Sequence, residues 1–177
     1  MNAEFVIPLN GWARGRSGFR FVPGKEFFRK FGNEEILDAA LQVNATVDKS
    51  AAYIWVDLEI EGSVTVACDR CLEDLVLPVS ASASLSVKFG GDPSGEDGDG
   101  ALDGGREILC LGAGESLLEL DQVVYDYVCV SLPMVRIHPE GGCNPETTRF
   151  LSPEGSDEEV SPQENPFAAL KGLFKDK

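Results

Sequence analysis

From residue 37 to residue 89 the chain alternates apolar and polar side chains with a period of two, and nothing else in it restricts the fold as tightly. Leu37, Ala39, Leu41, Val43, Ala45 and Val47 fill the odd positions, with Asp38, Gln42, Asn44 and Asp48 between them. A strand sends successive side chains to opposite faces, whereas a helix would scatter this set around its circumference. Ile54, Val56, Leu58 and Ile60 repeat the pattern on even positions, interleaved with Asp57 and Glu59. Glu61-Gly62-Ser63 reads as a tight turn, after which Val64, Val66 and Cys68 form a third strand. Beyond Asp69-Arg70-Cys71-Leu72-Glu73, Leu75, Leu77, Val79, Ala81, Ala83, Leu85, Val87 and Phe89 point one way. Ser80, Ser82, Ser84, Ser86 and Lys88 point the other. The connections are shorter than the dozen or so residues that a parallel crossover needs, so antiparallel pairing is expected. One apolar face per strand predicts a sheet buried on one side and curled toward a barrel.

The flanks add helices and linkers. Glu4 to Leu9 reads as a short strand, Gly15 to Val22 as a looser one, and Lys25 to Phe31 as one or two helical turns stopped by Gly32-Asn33. Ile108 to Leu111 reads as strand again. Leu117, Leu120, Val124, Tyr127 and Val128 fit a helix that packs on the sheet and ends at Pro133. The expected class is therefore α+β: a mainly antiparallel, barrel-like sheet with one packed helix. The expected organisation is a single domain over 1–151, interrupted by a flexible acidic loop at 90–105. An acidic linker at 152–164 follows, and then a short amphipathic helix at 165–177, where Phe167, Leu170, Leu173 and Phe174 share one face.

Charge narrows the partners. The formal net charge is −15, which does not suit a protein that coats nucleic acid broadly, because such affinity comes from cations that neutralise phosphates. Residues 1–32 nevertheless hold six basic residues against Glu4 and Glu26. A local basic patch on an acidic body is thus expected. No apolar stretch is long enough to cross a bilayer, and Met1 to Gly11 lack the pattern of a secretory leader. Five cysteines, an odd number, argue against a disulfide framework and for a reducing compartment, so a cytoplasmic location is expected.

Cys68-Asp-Arg-Cys71 sits between two strands. A C-x₂-C turn is half of a zinc knuckle, because two thiolates can converge there on a tetrahedral ion. His138, the only histidine, and Cys143 supply two further donors, giving C-x₂-C … H-x₄-C and a Cys₃His set. The alternative is that Cys68 and Cys71 shape a turn and pack as small hydrophobes. A thioredoxin-type role fits less well, since that chemistry uses a helix N-terminus and this is strand–turn–strand. Cys110 and Cys129 fall within apolar patterns and read as core. No phosphate loop, dinucleotide fingerprint or serine-nucleophile elbow occurs.

The motifs taken in order resemble the YceD family of bacterial large ribosomal RNA subunit accumulation proteins. Cys68-Asp-Arg-Cys71-Leu-Glu73, the helix Val124 to Pro133 ending in Leu-Pro, His138 to Cys143, and Asn165-Pro-Phe-Ala-Ala-Leu-Lys-Gly-Leu173 are collinear with it. The resemblance implies a small non-enzymatic cytoplasmic factor needed for large-subunit rRNA to accumulate, with no catalytic residue to carry over. One departure is the helix before Leu-Pro. In the family it usually carries several acids, whereas here Asp126 is the only carboxylate between Val124 and Val130.

Joined to the charge pattern, this suggests an acidic factor that holds a basic ribosomal protein, contacts large-subunit rRNA or its precursor locally, or does both. RNA contact would fall to Trp12, Arg14, Arg16, Arg20, Lys25 and Arg29, where guanidinium groups meet phosphates and rings stack on bases. No small-molecule substrate is evident. The competing classes are a zinc- or thiol-dependent enzyme centred on the C-x₂-C turn and a zinc-binding interaction module unrelated to ribosomes.

Overall fold

The computed structural model describes residues 5–9, 14–51, 53–90, 102–149 and 151. Three long strands form its centre: β3 (Ile36–Lys49), β4 (Ile54–Ala67) and β5 (Asp74–Phe89), paired antiparallel in sequence order. β2 (Gly15–Phe21), which follows β1 (Val6–Pro8), adds to the β3 edge. β7 (Arg106–Leu111) adds to the β5 edge, and the two-residue β6 (Leu102–Asp103) pairs with it, giving the order β2-β3-β4-β5-β7-β6. β1 pairs with β8 (Leu117–Glu119) in a separate ribbon.

The alternation sorts the two faces of this sheet. Leu41, Val43, Ala45 and Val47 meet Val56, Leu58 and Ile60 and then Ala83, Leu85 and Val87 on one side, all buried. Helix α1 (Lys25–Lys30) covers that side with Phe27 and Phe28, and α2 (Asp121–Ser131) covers it with Val123, Val124 and Val128. The β1–β8 ribbon contributes Ile7 and Leu118 to the same core. Burying a side chain of this size is worth roughly 1.5–3 kcal/mol, so the period-two pattern is the main source of stability.

Three expectations need correction, and one strand pairing was not anticipated either way. The sheet is open rather than curled into a barrel. Its edges, β2 and β6, do not pair, and the helices and ribbon bury the apolar face, so closure is not needed to do so. Gly62 is not a turn, because β4 runs straight through it. Gly62 has φ of 141°, and a Cβ there would collide with the backbone of Ala40 on β3, so glycine permits the close approach. β7 pairs with β5 in parallel, across the connection that contains β6 and the Gly104-Gly105 turn. Leu117 lies in β8 and Leu120 at the helix N-cap, so α2 begins later than the apolar spacing suggests.

A register shift between Ile36 and Asp38 marks a bulge in β3. It brings Ile36 into the core while leaving Leu37 and Ala39 half-buried. The greater part of the acidic loop, 91–101, lies outside the described residues, as do the linker 152–164 and the segment 165–177. Among the described residues no helix is long and apolar enough to cross a membrane.

Candidate metal centre

Cys68 follows the last residue of β4, and Cys71 lies in the turn that leads into β5. The Cys68 amide donates to the Glu73 carbonyl and the Leu72 amide to the Cys68 carbonyl, both at 2.9 Å, which closes the turn tightly. Leu72 sits at φ 63°, a left-handed conformation that costs a non-glycine residue about 1–2 kcal/mol. Both cysteines of this turn are buried.

The other two donors arrive from a distant part of the chain. After α2, Leu132 and Pro133 leave the helix, and the next segment docks against the turn through its backbone. The Asp69 amide donates to the Arg136 carbonyl at 2.7 Å, and the Arg136 amide donates to Asp69 Oδ2 at 2.6 Å. The Arg136 guanidinium bridges Glu35 at 2.9 Å and Asp69 at 3.7 Å. His138 follows two residues later. A turn closed by the Gly142 amide on the Pro139 carbonyl then brings Cys143 back. Asn144 caps the short helix α3 (Pro145–Thr148) and donates from its side chain to Glu73 at 2.7 Å.

The four donor atoms all lie within 4.8 Å of one another. Cys71 Sγ is 3.4 Å from His138 Nδ1, Cys143 Sγ is 3.9 Å from the same nitrogen, and Cys68 Sγ is 3.9 Å from Cys143 Sγ. His138 Nε2 faces the Asp74 carbonyl at 3.2 Å. A carbonyl only accepts, so the proton belongs on Nε2, and in the neutral ring Nδ1 turns its lone pair toward the three sulfurs. Metal-ligating histidines are oriented in this way by a partner on the far nitrogen. Three thiols and one imidazole, converging from two chain segments, suit a zinc-type ion in its four-coordinate structural form.

Electrostatics in the metal-free cluster point the same way. Burial pushes the Cys68 thiol up, but the backbone amides of Cys71, Arg70 and His138 and the Cys71 side chain outweigh it and bring the thiol from 9.0 down to about 6. The Cys68 side chain, ahead of the opposing effect of burial, raises His138, with help from the Asp74 carbonyl and Cys71. Burial, followed by the neighbouring Cys68, raises Cys143. One thiolate beside a proton-holding imidazole is a cluster prepared to exchange protons for a cation.

Of the six residues expected to meet RNA, the five that are described are divided between β2 with its approach and α1. Trp12 lies outside the described residues. Arg14 is exposed just ahead of β2, while Arg16 and Arg20 project from the solvent side of β2, where they contact Asp48 and Gln42. Lys25 and Arg29 belong to α1, over the buried face, and Arg29 pairs with Glu26.

Several contributors went unread in the sequence. The Asp74 carbonyl and the Arg136 clasp have no linear signature, whereas Asn144 directly ahead of Pro145 carries the N-cap signal of a helix start. On the solvent side of the sheet, Tyr53 stacks on Trp55 at 3.8 Å. Arg106 lies 4.7 Å over the Trp55 ring and pairs with Asp57 at 2.8 Å. Only their outward positions in the alternation could have hinted at that cluster.

A family model described as large ribosomal RNA subunit accumulation protein YceD matches residues 56–174, a span that contains all four candidate ligands. No curated protein and no solved structure matches the chain.

Proposed function

The chain belongs to the YceD family, and from that premise we infer that it is a non-enzymatic factor supporting accumulation of large-subunit ribosomal RNA, stapled at one end by a structural zinc ion. The family match over 56–174 is the observation that carries the ribosomal role. The zinc rests on the donor set. Cys68, Cys71, His138 and Cys143 would fill all four positions, whereas catalytic zinc keeps one position for water or substrate. Zinc there would tie the β4–β5 turn to the segment after α2.

The mode of action follows from charge. A body of −15 is suited to holding a basic ribosomal protein, with direct RNA contact limited to exposed cations such as Arg14, Arg16 and Arg20. The low Cys68 value also suits a reactive thiol, but the side chain is buried, which favours ligation over attack on a substrate.

Depletion of the protein tests the role. Large-subunit rRNA should fall relative to small-subunit rRNA, and the tagged protein should sediment with large-subunit precursors. An unchanged rRNA ratio together with protein only at the top of the gradient would overturn the reading. Elemental analysis of the purified chain should give one zinc per molecule, and none would remove the staple.

A further inference from the structure

At the end of the sheet where β3 turns into β4, two lysines and two aromatic rings surround a cleft of about 500 Å³. Lys49, Tyr53, Lys88 and Phe89 line it, together with Ile54 and Val87, which pair across β4 and β5. No carboxylate occurs among the described residues of its lining. Three other clefts of similar size each hold at least one glutamate: Glu115 and Glu119 in one, Glu34 in the next, Glu35 in the third. In a chain of net charge −15 this separation matters, because a lining without carboxylates lets its lysines attract an anion.

The rings narrow the anion. Tyr53 stacks on Trp55, with ring centroids 3.8 Å apart and planes 18° from parallel. Tyr53 is the member of that stack that lines the cleft, and it is 36 % exposed; Phe89 is 50 % exposed. Two rings open to solvent beside lysines suit a ligand that carries a flat π face together with negative charge, and a nucleotide has both. Neither lysine is locked to its present partner. Lys88 holds Asp103 at 3.5 Å with both side chains substantially exposed, a pair worth little in water. An ammonium group has three donors, so Lys49 can keep the Leu9 carbonyl and still receive a phosphate. Gly15 pairs with Lys49 across the β2–β3 ladder, which places the exposed Arg14 beside the same strand end.

We propose that this cleft binds a single-stranded segment of RNA. A base stacks on Tyr53 and lengthens the Trp55–Tyr53 stack, Phe89 supplies a second apolar contact, and Lys49 and Lys88 meet the flanking phosphates. A duplex keeps its bases stacked on one another, so their π faces do not reach the rings. That the strand is RNA rather than DNA rests on the ribosomal reading above; the preference for unpaired bases rests on the cleft alone. The site thus adds recognition of unpaired bases to the attraction of phosphates that the β2 arginines provide.

Fluorescence anisotropy of a short labelled oligouridylate, titrated with the full chain, tests it. Tyr53→Ala and Phe89→Ala should each weaken binding by about tenfold. Lys88→Gln should weaken it too, and lower the slope of log affinity against log salt by about 0.7. An RNA duplex of equal length should bind far more weakly. Phe89 is half exposed, so an unchanged melting temperature of its variant will show that the fold survives. No binding of the oligouridylate, equal binding of duplex and single strand, or an affinity that neither ring variant moves would each overturn the proposal. Polyglutamate that binds as tightly as the RNA and ignores Tyr53→Ala would do so as well, assigning the cleft to an acidic protein segment. Depletion judges the ribosomal role separately. A changed rRNA ratio without oligouridylate binding removes the cleft alone, and binding without a changed ratio removes the role alone.

Discussion

The long strands β4 and β5 have two ends, roughly 40 Å apart at the usual rise per residue, and the ends are held by different means. At the Lys49–Ile54 end, regular pairing carries across β2, β3, β4 and β5 through Gly15, Lys49, Ile54 and Val87. Side chains on the solvent face there, such as Trp55 and Arg106, decorate a backbone that is already fixed. At the Cys68 end the pairing stops. Two segments, 68–74 leading into β5 and 134–149 ending in the short helix α3, meet through a handful of hydrogen bonds, the Arg136 ion pairs and the four donor side chains. Charge divides along the same line. Segments 33–38, 68–74 and 134–149 hold eight carboxylates against Arg70, Arg136 and Arg149. A ladder of backbone bonds makes one end robust; the other depends on side-chain chemistry and responds to whatever changes it.

The largest contrast should come from the ligands. Cys71→Ser is expected to abolish zinc retention and lower the melting temperature by about 10 °C, and a chelator should do the same to the unaltered protein. Elemental analysis and thermal melts check this, and equal stability with and without metal would erase the distinction between the ends. Zinc retention should also fail on acidification, since protons compete for Cys68 below its value near 6 and for His138, which holds its proton to higher pH than usual. A chromogenic chelator monitoring release against pH measures it.

Next in size is Gly62→Ala, which probes the strand joining the two ends. A Cβ directed into the Ala40 backbone, at a φ unfavourable to L residues, should cost about 3 kcal/mol in denaturant unfolding. A neutral result would mean that β4 is not held so close to β3. Arg106→Ala removes the cation over Trp55 and the partner of Asp57, and should cost about 1 kcal/mol with zinc content unchanged.

The smallest effect is one of pH. The Arg106 hydrogen bond holds Asp57 below its ordinary carboxyl value of 3.8, against the opposing effect of burial, with Ser84 assisting. A lowered carboxylate value means that the pair's contribution is complete above about pH 4 and fades as pH falls through the depressed value. Because the Asp57 carboxylate is nearly half exposed to solvent, screening should keep the contribution under about 1 kcal/mol. Asp57→Asn should remove that acid-dependent increment, as seen in melts between neutral pH and pH 3.

The same division governs what could be read in the sequence. The period-two pattern specifies the faces of β3, β4 and β5 because one side must be buried, and Gly62 even falls on the inward phase between Ile60 and Val64. Glycine next to a charged residue has the same composition as a turn, so sequence alone does not separate the two cases. The pattern carries no information on which edges pair, so neither the open sheet nor the parallel β5–β7 contact was visible. The four donors were legible as residue types at knuckle spacing, but what orients them, Asp74, Arg136 and Asn144, acts through backbone atoms and contacts across about seventy residues. The basic stretch is continuous along the chain, whereas in space Arg16 and Arg20 lie on the solvent side of β2 and Lys25 and Arg29 on α1, a division that linear order does not carry.

The separation of the donors also has a meaning in time. Cys68 and Cys143 are 75 positions apart, with β5, β7 and α2 between them. As the chain emerges from N- to C-terminus, the β3–β4–β5 meander can pair long before Cys143 is made, so the donor set is completed late in synthesis. Chains that stop short of residue 143 would pair strands but lack a ligand. Zinc content should therefore distinguish chains that extend past Cys143 from shorter ones, a distinction that the strand pairing alone cannot provide.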